Sequence, residues 1–293
     1  MHVFVTGGTG LIGSAVVAEL LGAGHSVAGL ARSDASARAL EAAGAKAVRG
    51  DLADVDALRA GAAQADGVIH LAFANDFSSA EALADAVATE SAALGALGEE
   101  LVGSDRPLVT ASGTPPVPGR LSTEVDPLPL AGPLGGRARS VTAVLHLASR
   151  GVRSSTVRLP RTVHNEGRGG FAGLLAAMAR RSGVAGYPGS GTQRWPAVHA
   201  LDAAVLFRLA LERAPAGTSW HAVADEGDTV RDIAEVIGRR LGLPVEALPD
   251  HAFGVLAHIF AIDQPASSAH TKDALGWTPT HPSLLEDLES LQP

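Results

Sequence analysis

Cysteine is absent from the 293-residue chain, which removes disulfides, thiolate nucleophiles, zinc–thiolate sites and iron–sulfur clusters together. Tyrosine occurs once, at Tyr187, and lysine only at Lys46 and Lys272. Chemistry that needs a tyrosine and a lysine side by side therefore has almost nothing to draw on. No apolar run approaches the ~20 residues needed to span a bilayer, and no basic segment with a cleavage site precedes Val3. There is no block of like charge, no long polar tract and no internal repeat, so the chain is expected to be ordered throughout. The histidines are scattered without the spacing of a helical metal site, so no metal is expected. A net charge of −8 repels a phosphate backbone, which argues against nucleic acid as a partner. These absences describe a cytoplasmic protein with no membrane partner and a small-molecule substrate. A homodimer is left open.

What is present is an alternation of short apolar runs and helical patterns, with 46% hydrophobic residues to build a core. Val3–Val5, 25–31, 45–49, 67–72, 107–112 and 154–159 read as strands, and 220–223 as a seventh. Helical spacing covers 11–23, 35–43, 54–63, 79–101, 139–150, 170–181, 201–213 and 229–241, the last with Asp228 as its expected cap. Trp195–Val198 reads as one more short strand. Strands apolar along their whole length, separated by helices, predict a parallel sheet covered on both faces. The proline- and glycine-rich stretch 114–133 reads as a loop.

Thr6-Gly7-Gly8-Thr9-Gly10-Leu11-Ile12-Gly13 follows the first strand and opens the first helix. It satisfies G-x-G-x-x-G through Gly8, Gly10 and Gly13, and G-x-x-G-x-x-G through Gly7, Gly10 and Gly13. Glycines in this setting let a dinucleotide pyrophosphate approach the backbone, and the helix N-terminus supplies N–H donors and a positive dipole. Thr6, Gly7, Gly10, Leu11, Ile12 and Gly13 are therefore candidate cofactor contacts. The alternative is a glycine turn with no ligand. The second strand ends Leu30-Ala31-Arg32-Ser33, with no acidic residue to hold a ribose 2′-hydroxyl. Arg32 is suited to a 2′-phosphate with Ser33 as a neutral donor, which favours NADP, with NAD as the alternative.

On these residues the chain resembles the short-chain dehydrogenase/reductase superfamily, in its extended and atypical branch of NAD-dependent epimerases, dehydratases and 3β-hydroxysteroid dehydrogenases. The resemblance implies a Rossmann-type doubly wound α/β sheet of about seven strands. It implies a dinucleotide-binding domain over 1–160, to which 195–225 returns, and a small, mostly helical substrate lobe from 161–194 and 226–293. Asp51 and Leu52 match the adenine-contacting segment, and Leu71 and Ala72 the segment beside the nicotinamide ribose. Thr110-Ala111-Ser112 matches the strand that carries the catalytic serine. Leu159, Pro160 and Val163 match the segment that closes over the nicotinamide, and 197–204 the V-H-x-x-D-x-A segment. One departure is severe: the window 128–148, where the family carries Tyr-x-x-x-Lys, holds only Arg137, Arg139 and His146 as titratable groups.

Candidates for the chemistry are Ser112, as donor to a substrate carbonyl or as a serine tied to backbone, and Tyr187, as proton donor or as an ordinary packed tyrosine. His164 and His199 are candidate acids near neutral pH, although His199 reads first as a residue bonding backbone before the helix at Asp202. Arg194 and Trp195 suit an acidic or aromatic substrate group, or a surface arginine on a core-edge indole. Asn75, Asp76 and Phe77 follow the fourth strand, where ligands of parallel sheets sit. The leading expectation is an NADPH-dependent reductase of a small carbonyl or imine compound. The alternatives are an epimerase or dehydratase using bound cofactor, and a non-catalytic dinucleotide sensor.

Overall fold

The computed structural model of the chain describes residues 1–74, 79–132 and 135–292. The first half alternates as β1 (His2–Thr6), α1 (Leu11–Gly22), β2 (Ser26–Ala31), α2 (Asp34–Ala42), β3 (Lys46–Arg49), α3 (Val55–Ala63), β4 (Gly67–His70), α4 (Ala80–Leu101), β5 (Pro107–Gly113), α5 (Gly135–His146) and β6 (Arg153–Leu159). There follow β7 (Thr162–His164), α6 (Gly170–Ser182), β8 (Ala185–Pro188), β9 (Arg194–His199), α7 (Ala200–Arg213), β10 (Thr218–His221), β11 (Asp225–Thr229), α8 (Val230–Leu241) and β12 (Val245–Leu248). Short helical turns make up much of the remainder. No described helix is long and apolar enough to cross a membrane.

A seven-stranded sheet runs in the order β10-β6-β5-β4-β1-β2-β3. β1 pairs in parallel with β2 and β4, through Val3↔Val27 and Val5↔Ile69, and β4 pairs in parallel with β5. Val3, Phe4 and Val5 are all fully buried, because helices cover both faces. This sheet is α/β and of the Rossmann type.

The chain divides into two compact units. Unit 1 comprises Met1–Ser112, Pro127–Arg158 and Ala204–Trp220, and unit 2 comprises Gly113–Asp126, Leu159–Ala203 and His221–Pro293. In unit 1, Phe4, Leu58, Val68, Leu94, Leu97 and Leu108 form one core cluster. α3 presses onto this core at Gly61, where a Cβ would lie 2.4 Å from the Phe4 ring.

Unit 2 adds two small sheets to the helices expected of the lobe. It contains a three-stranded sheet, β11-β9-β7, and a two-stranded sheet, β12-β8. β9 pairs in parallel with β7 and antiparallel with β11. Of residues 195–225, only Thr218–His221 joins the seven-stranded sheet. β9 is legible at Trp195–Val198, but β7, β8, β11 and β12 escaped sequence reading because they are short and in part polar: β11 is Asp-Glu-Gly-Asp-Thr and β8 is Ala-Gly-Tyr-Pro. Their burial comes from α6 and α8, which pack with Trp195, Phe253 and Phe260 into a second core.

The cap of α8 is corrected by one residue. Thr229, not Asp228, accepts the amide of Asp232. Asp228 belongs to β11 and lies opposite Trp195 in register, with its Oδ2 buried and without a partner. Burial, with Asp225 and Asp232 adding like charge, pushes its carboxyl up to about 6 from 3.8. Because the folded protein binds this proton more tightly than the unfolded chain, the stability it contributes is full below the unfolded value and is lost as pH rises through about 6. Full burial would make two pKa units worth about 3 kcal/mol, and partial solvent access reduces this to ~1 kcal/mol. Asp228→Asn is therefore expected to stabilise the fold by ~1 kcal/mol near neutral pH and by almost nothing near pH 4, read by urea denaturation at the two pH values. Equal effects at both would show that the carboxylate is not strained.

Candidate functional site

The glycines between β1 and α1 have different jobs. Gly7 has φ +74°, and a Cβ there would come within 2.8 Å of the Ala72 backbone nitrogen. At Gly13 a Cβ would lie 1.9 Å from the Gly7 carbonyl oxygen. A Cβ at Gly8 would meet only the flexible side chains of Leu40 and Val17, each at 3.2 Å. The operative spacing is therefore Gly7-x-x-Gly10-x-x-Gly13. Gly10 is the odd one: its Cβ would find only the Gly7 oxygen, at an ordinary 3.6 Å. Nothing in the folded chain forbids a side chain there. Gly10 is also the N-cap of α1 and contributes no side-chain hydrogen bond, whereas α2, α3 and α4 are capped by Ser33, Asp54 and Ser79. The first-turn amides of Leu11, Ile12 and Gly13 thus open α1 without a capping side chain, with the helix dipole behind them. An uncapped N-terminus beside a glycine that the fold does not need is a cradle suited to a diphosphate.

At the end of β2, Arg32 is exposed and Ser33 is the cap of α2, its Oγ accepting the Ser36 amide at 3.1 Å. Asp34 is paired with Arg49 at 2.5 Å. Asp51 folds its own loop, its Oδ1 accepting the amides of Ala53 and Asp54, with Leu52 half-buried beside it. Thr6 is fully buried and sits 3.0 Å from His70 Nδ1, while its Oγ1 also accepts the Ala72 amide at 3.4 Å. Burial first, and then Arg137, drives the His70 pKa down to about 3, so this imidazole is neutral. Leu71 donates its amide to the Thr6 carbonyl, and Leu71 and Ala72 are half-buried where β4 ends.

Ala111 and Ser112 are buried at the end of β5. The Ser112 Oγ lies 2.9 Å from Thr156 Oγ1, which donates to the Thr110 carbonyl at 3.0 Å. A carbonyl can only accept, so Thr156 spends its proton there and Ser112 must donate to Thr156. The serine of this structure therefore offers lone pairs, and must turn its proton outward to polarise a substrate oxygen.

α5 is the helix on which the family pattern would place Tyr and Lys. Its Arg137 holds Glu90 of α4 with two bonds of 2.7 Å, from Nε and Nη2, and its guanidinium lies 3.9 Å above the Phe73 ring. Glu90 is 2% exposed, and burial raises its pKa against the opposing pull of Arg137. Arginine does not release a proton near neutrality, so this pair is structural. Asn75, Asp76 and Phe77 lie outside the described residues.

In unit 2 each chemical candidate has a partner of its own. His164 is 1% exposed and bonds Asp287 at 2.9 Å, the same Oδ2 that accepts the Gly167 amide. His199 accepts the Leu201 amide on Nδ1 at 3.2 Å, as a residue bonding backbone before Asp202 would, and its pKa is lowered by burial and by the neighbouring histidines. Tyr187 is 8% exposed, its hydroxyl accepting from Arg231 Nη2 at 2.9 Å. Arg194 is paired with Asp263 at 2.8 Å, and Trp195 is a fully buried core residue rather than an edge residue. Leu159 gives its carbonyl to the Thr114 amide, and Pro160 and Val163 are buried. His164 and Tyr187 are thus held in separate networks. Among the described residues no group of three or more His, Asp or Glu side chains is arranged to hold a metal ion.

Sequence reading missed Glu90, Asp287 and the buried Arg161, since pairings 47 to 123 residues apart leave no local trace. Arg161 was findable in one respect: it interrupts the apolar register of Val157–Val163.

The model of the NAD dependent epimerase/dehydratase family matches residues 3–223. An uncharacterised protein of Schizosaccharomyces pombe is 46% identical over 297 residues, covering 99% of both chains. A Streptomyces protein named 3-diazoavenalumate denitrifying reductase is 30% identical over 311 residues, 98% of this chain and 99% of that one. Among solved structures, a double mutant of a dTDP-glucose 4,6-dehydratase from Streptomyces venezuelae with NAD bound aligns with TM-score 0.80 at 19% identity, over 99% of this chain and 95% of that one. At that identity the likeness is one of fold.

Two substitutions separate cradle from scaffold. Gly10→Ala is expected to leave the melting temperature within a few degrees of wild type and to weaken NADPH binding at least ~10-fold. Gly13→Ala is expected to lose several degrees of melting temperature as well. Wild-type affinity in Gly10→Ala, measured by calorimetry, would mean that no ligand approaches this backbone. At α5, Arg137→Met leaves a buried carboxylate and is expected to destabilise by about 3–5 kcal/mol in urea denaturation.

Proposed function

The chain belongs to the NAD dependent epimerase/dehydratase family, of the extended short-chain dehydrogenase/reductase type, and from that premise we propose that it is an NADPH-dependent reductase of a small carbonyl or imine compound. The observation that carries the proposal is the uncapped N-terminus of α1 above Gly10, a position whose glycine answers to a ligand and not to the fold. A relative named as a reductase at 30% identity across nearly the whole chain supports a net redox reaction.

The amides of Leu11, Ile12 and Gly13 hold the diphosphate at the positive end of α1. Arg32, exposed and without an ion pair among the described residues, reads the 2′-phosphate. The carboxylate two positions on, Asp34, is engaged by Arg49 and leaves the field at this strand end positive. That arrangement supports NADP over NAD. When bound, the reduced nicotinamide supplies a hydride. Ser112 orients the substrate by turning its proton from Thr156 to the substrate oxygen or nitrogen, and the proton that completes the product comes from solvent. Arg137 contributes no proton, being locked on Glu90.

The test is steady-state oxidation of NADPH and of NADH against panels of carbonyl and imine compounds, with calorimetry of both nucleotides. NADPH is expected to bind more tightly than NADH. Ser112→Ala is expected to lower kcat/KM by ~10–100-fold with nucleotide affinity unchanged. Absence of binding heat with either nucleotide, or full turnover in Ser112→Ala, would overturn this reading.

A further inference from the structure

Seven arginines, Arg49, Arg120, Arg137, Arg150, Arg168, Arg194 and Arg239, each hold a carboxylate although their side chains are between 24% and 75% exposed. Arg161 reverses this pattern. It is 8% exposed, and its bonds go to neutral oxygens: Nε to Gln264 Oε1 and Nη1 to the Ile259 carbonyl, both at 2.8 Å. No carboxylate faces it among the described residues. Burial lowers its pKa to about 10, with no charged neighbour contributing, so it remains a cation near neutrality.

A buried, uncompensated guanidinium is unfavourable, because desolvation is not repaid by an opposite charge. The surroundings stabilise it only weakly. Its Cζ lies 5.1 Å from the Phe171 ring centre and 5.9 Å from that of Trp195, distances at which cation–π attraction is modest. They do fix its orientation. Gln264, which holds Nε, is itself anchored by donating to the carbonyl and hydroxyl of Thr114. Guanidinium carries five N–H donors; Nε and Nη1 lie on different edges of the group, and each spends one donor on these oxygens. Nη2 has no acceptor, yet it is not among the sealed unpartnered atoms, so it keeps access to solvent. Unit 2 therefore presents a rigid cation with an unpartnered Nη2 and aromatic walls.

We propose that Arg161 is the receptor for an oxyanion, the carboxylate or phosphate of a small organic substrate, which docks on the Nη2 edge and supplies the missing counter-charge. The proposal rests on the reductase reading for what happens next: Arg161 directly follows Leu159 and Pro160, so the substrate is an oxo or imino compound that also carries an acidic group. Arginine in place of a point-charge lysine fits a planar, two-oxygen partner.

The experiment compares phenylpyruvate, its methyl ester and phenyl phosphate by calorimetry on the full chain in the presence of NADP. At least one of the two anions is expected to bind ~10-fold or more tightly than the ester, as for a charge-assisted bidentate contact. Which anion does so identifies carboxylate or phosphate as the source. Arg161→Gln is expected to reduce anion affinity to that of the ester while leaving NADPH affinity unchanged, and Arg161→Lys to fall between. Equal binding of acids and ester by the wild type, no binding of either anion, or undiminished anion binding by Arg161→Gln would overturn the proposal. Should Arg161→Gln fail to fold, the wild-type comparison of acid and ester decides alone. Anion binding that persists where NADPH gives no heat would support the receptor and defeat the reductase reading.

Discussion

The Gly7 carbonyl oxygen occupies the space, 1.9 Å away, that the Cβ of any side chain at position 13 would need. From that single close approach the rest of unit 1 follows. It lets α1 start immediately after β1, with Val16, Val17 and Leu20 buried in its packed face. It fixes Gly7 at a positive φ, where its Cα lies against the backbone of Leu71 and Ala72 at the end of β4. And it leaves the helix's first turn without a capping side chain, since the cap position is Gly10. A helix end left bare in this way gives up about 1 kcal/mol of local stability relative to a Ser or Asp cap only where the cap would be Ala, and a few tenths where it is Gly. The sacrifice is small, and what it exposes is a set of oriented donors for an anion.

Where the family pattern would set a proton relay, this chain sets a salt bridge. Arg137 and Glu90 pair α5 with α4 inside unit 1, and neither is free to exchange protons with a substrate. Ser112 points its own proton at Thr156. The magnitudes decide what this means. General acid assistance contributes about 10²–10⁴-fold, whereas holding donor and acceptor in register is worth effective molarities of roughly 10⁵–10⁸ M. A reductase that gives up the first and keeps the second is slow but not excluded, provided its substrate is electrophilic enough to take a hydride without prior protonation. Imines and activated carbonyls meet that condition.

The elements of unit 1 were legible because each obeys a local rule. β1, β4 and β5 are unbroken apolar runs, and α2, α3 and α4 start at Ser33, Asp54 and Ser79. Unit 2 obeys its rules only in three dimensions. β11 carries no apolar pattern of its own and is a strand through its pairing with β9, and Thr229, the last residue of that strand, caps α8 in place of Asp228. The site divides along the same line. The glycine turn could be read from spacing, and the choice between its two spacings needed only the Cβ positions at Gly7 and Gly8. His199 could be read for its backbone bond, but His164 and Tyr187 could not be judged, because their partners Asp287 and Arg231 are distant in sequence and decide whether the imidazole or phenol is free.

Charge is where the two units differ most in kind. The half-buried Arg137 of unit 1 is balanced: it and the buried Glu90 neutralise each other, and their cost in desolvation is met by two short bonds and the Phe73 ring. The buried cation of unit 2 is not balanced, although Asp263 and Asp287 lie in the same unit and are spent on Arg194 and His164. A chain with a net charge of −8 has carboxylates in surplus, so a missing counterion at Arg161 is not a shortage of acid. A fold that could have supplied a partner and instead supplies Gln264 keeps the guanidinium charged, oriented and unsatisfied. Such a group gains most when an anion arrives from outside, since the desolvation has been met in advance by folding and the attraction is then realised in a partly dry site. Binding energy collected there is available to orient whatever molecule carries the anion.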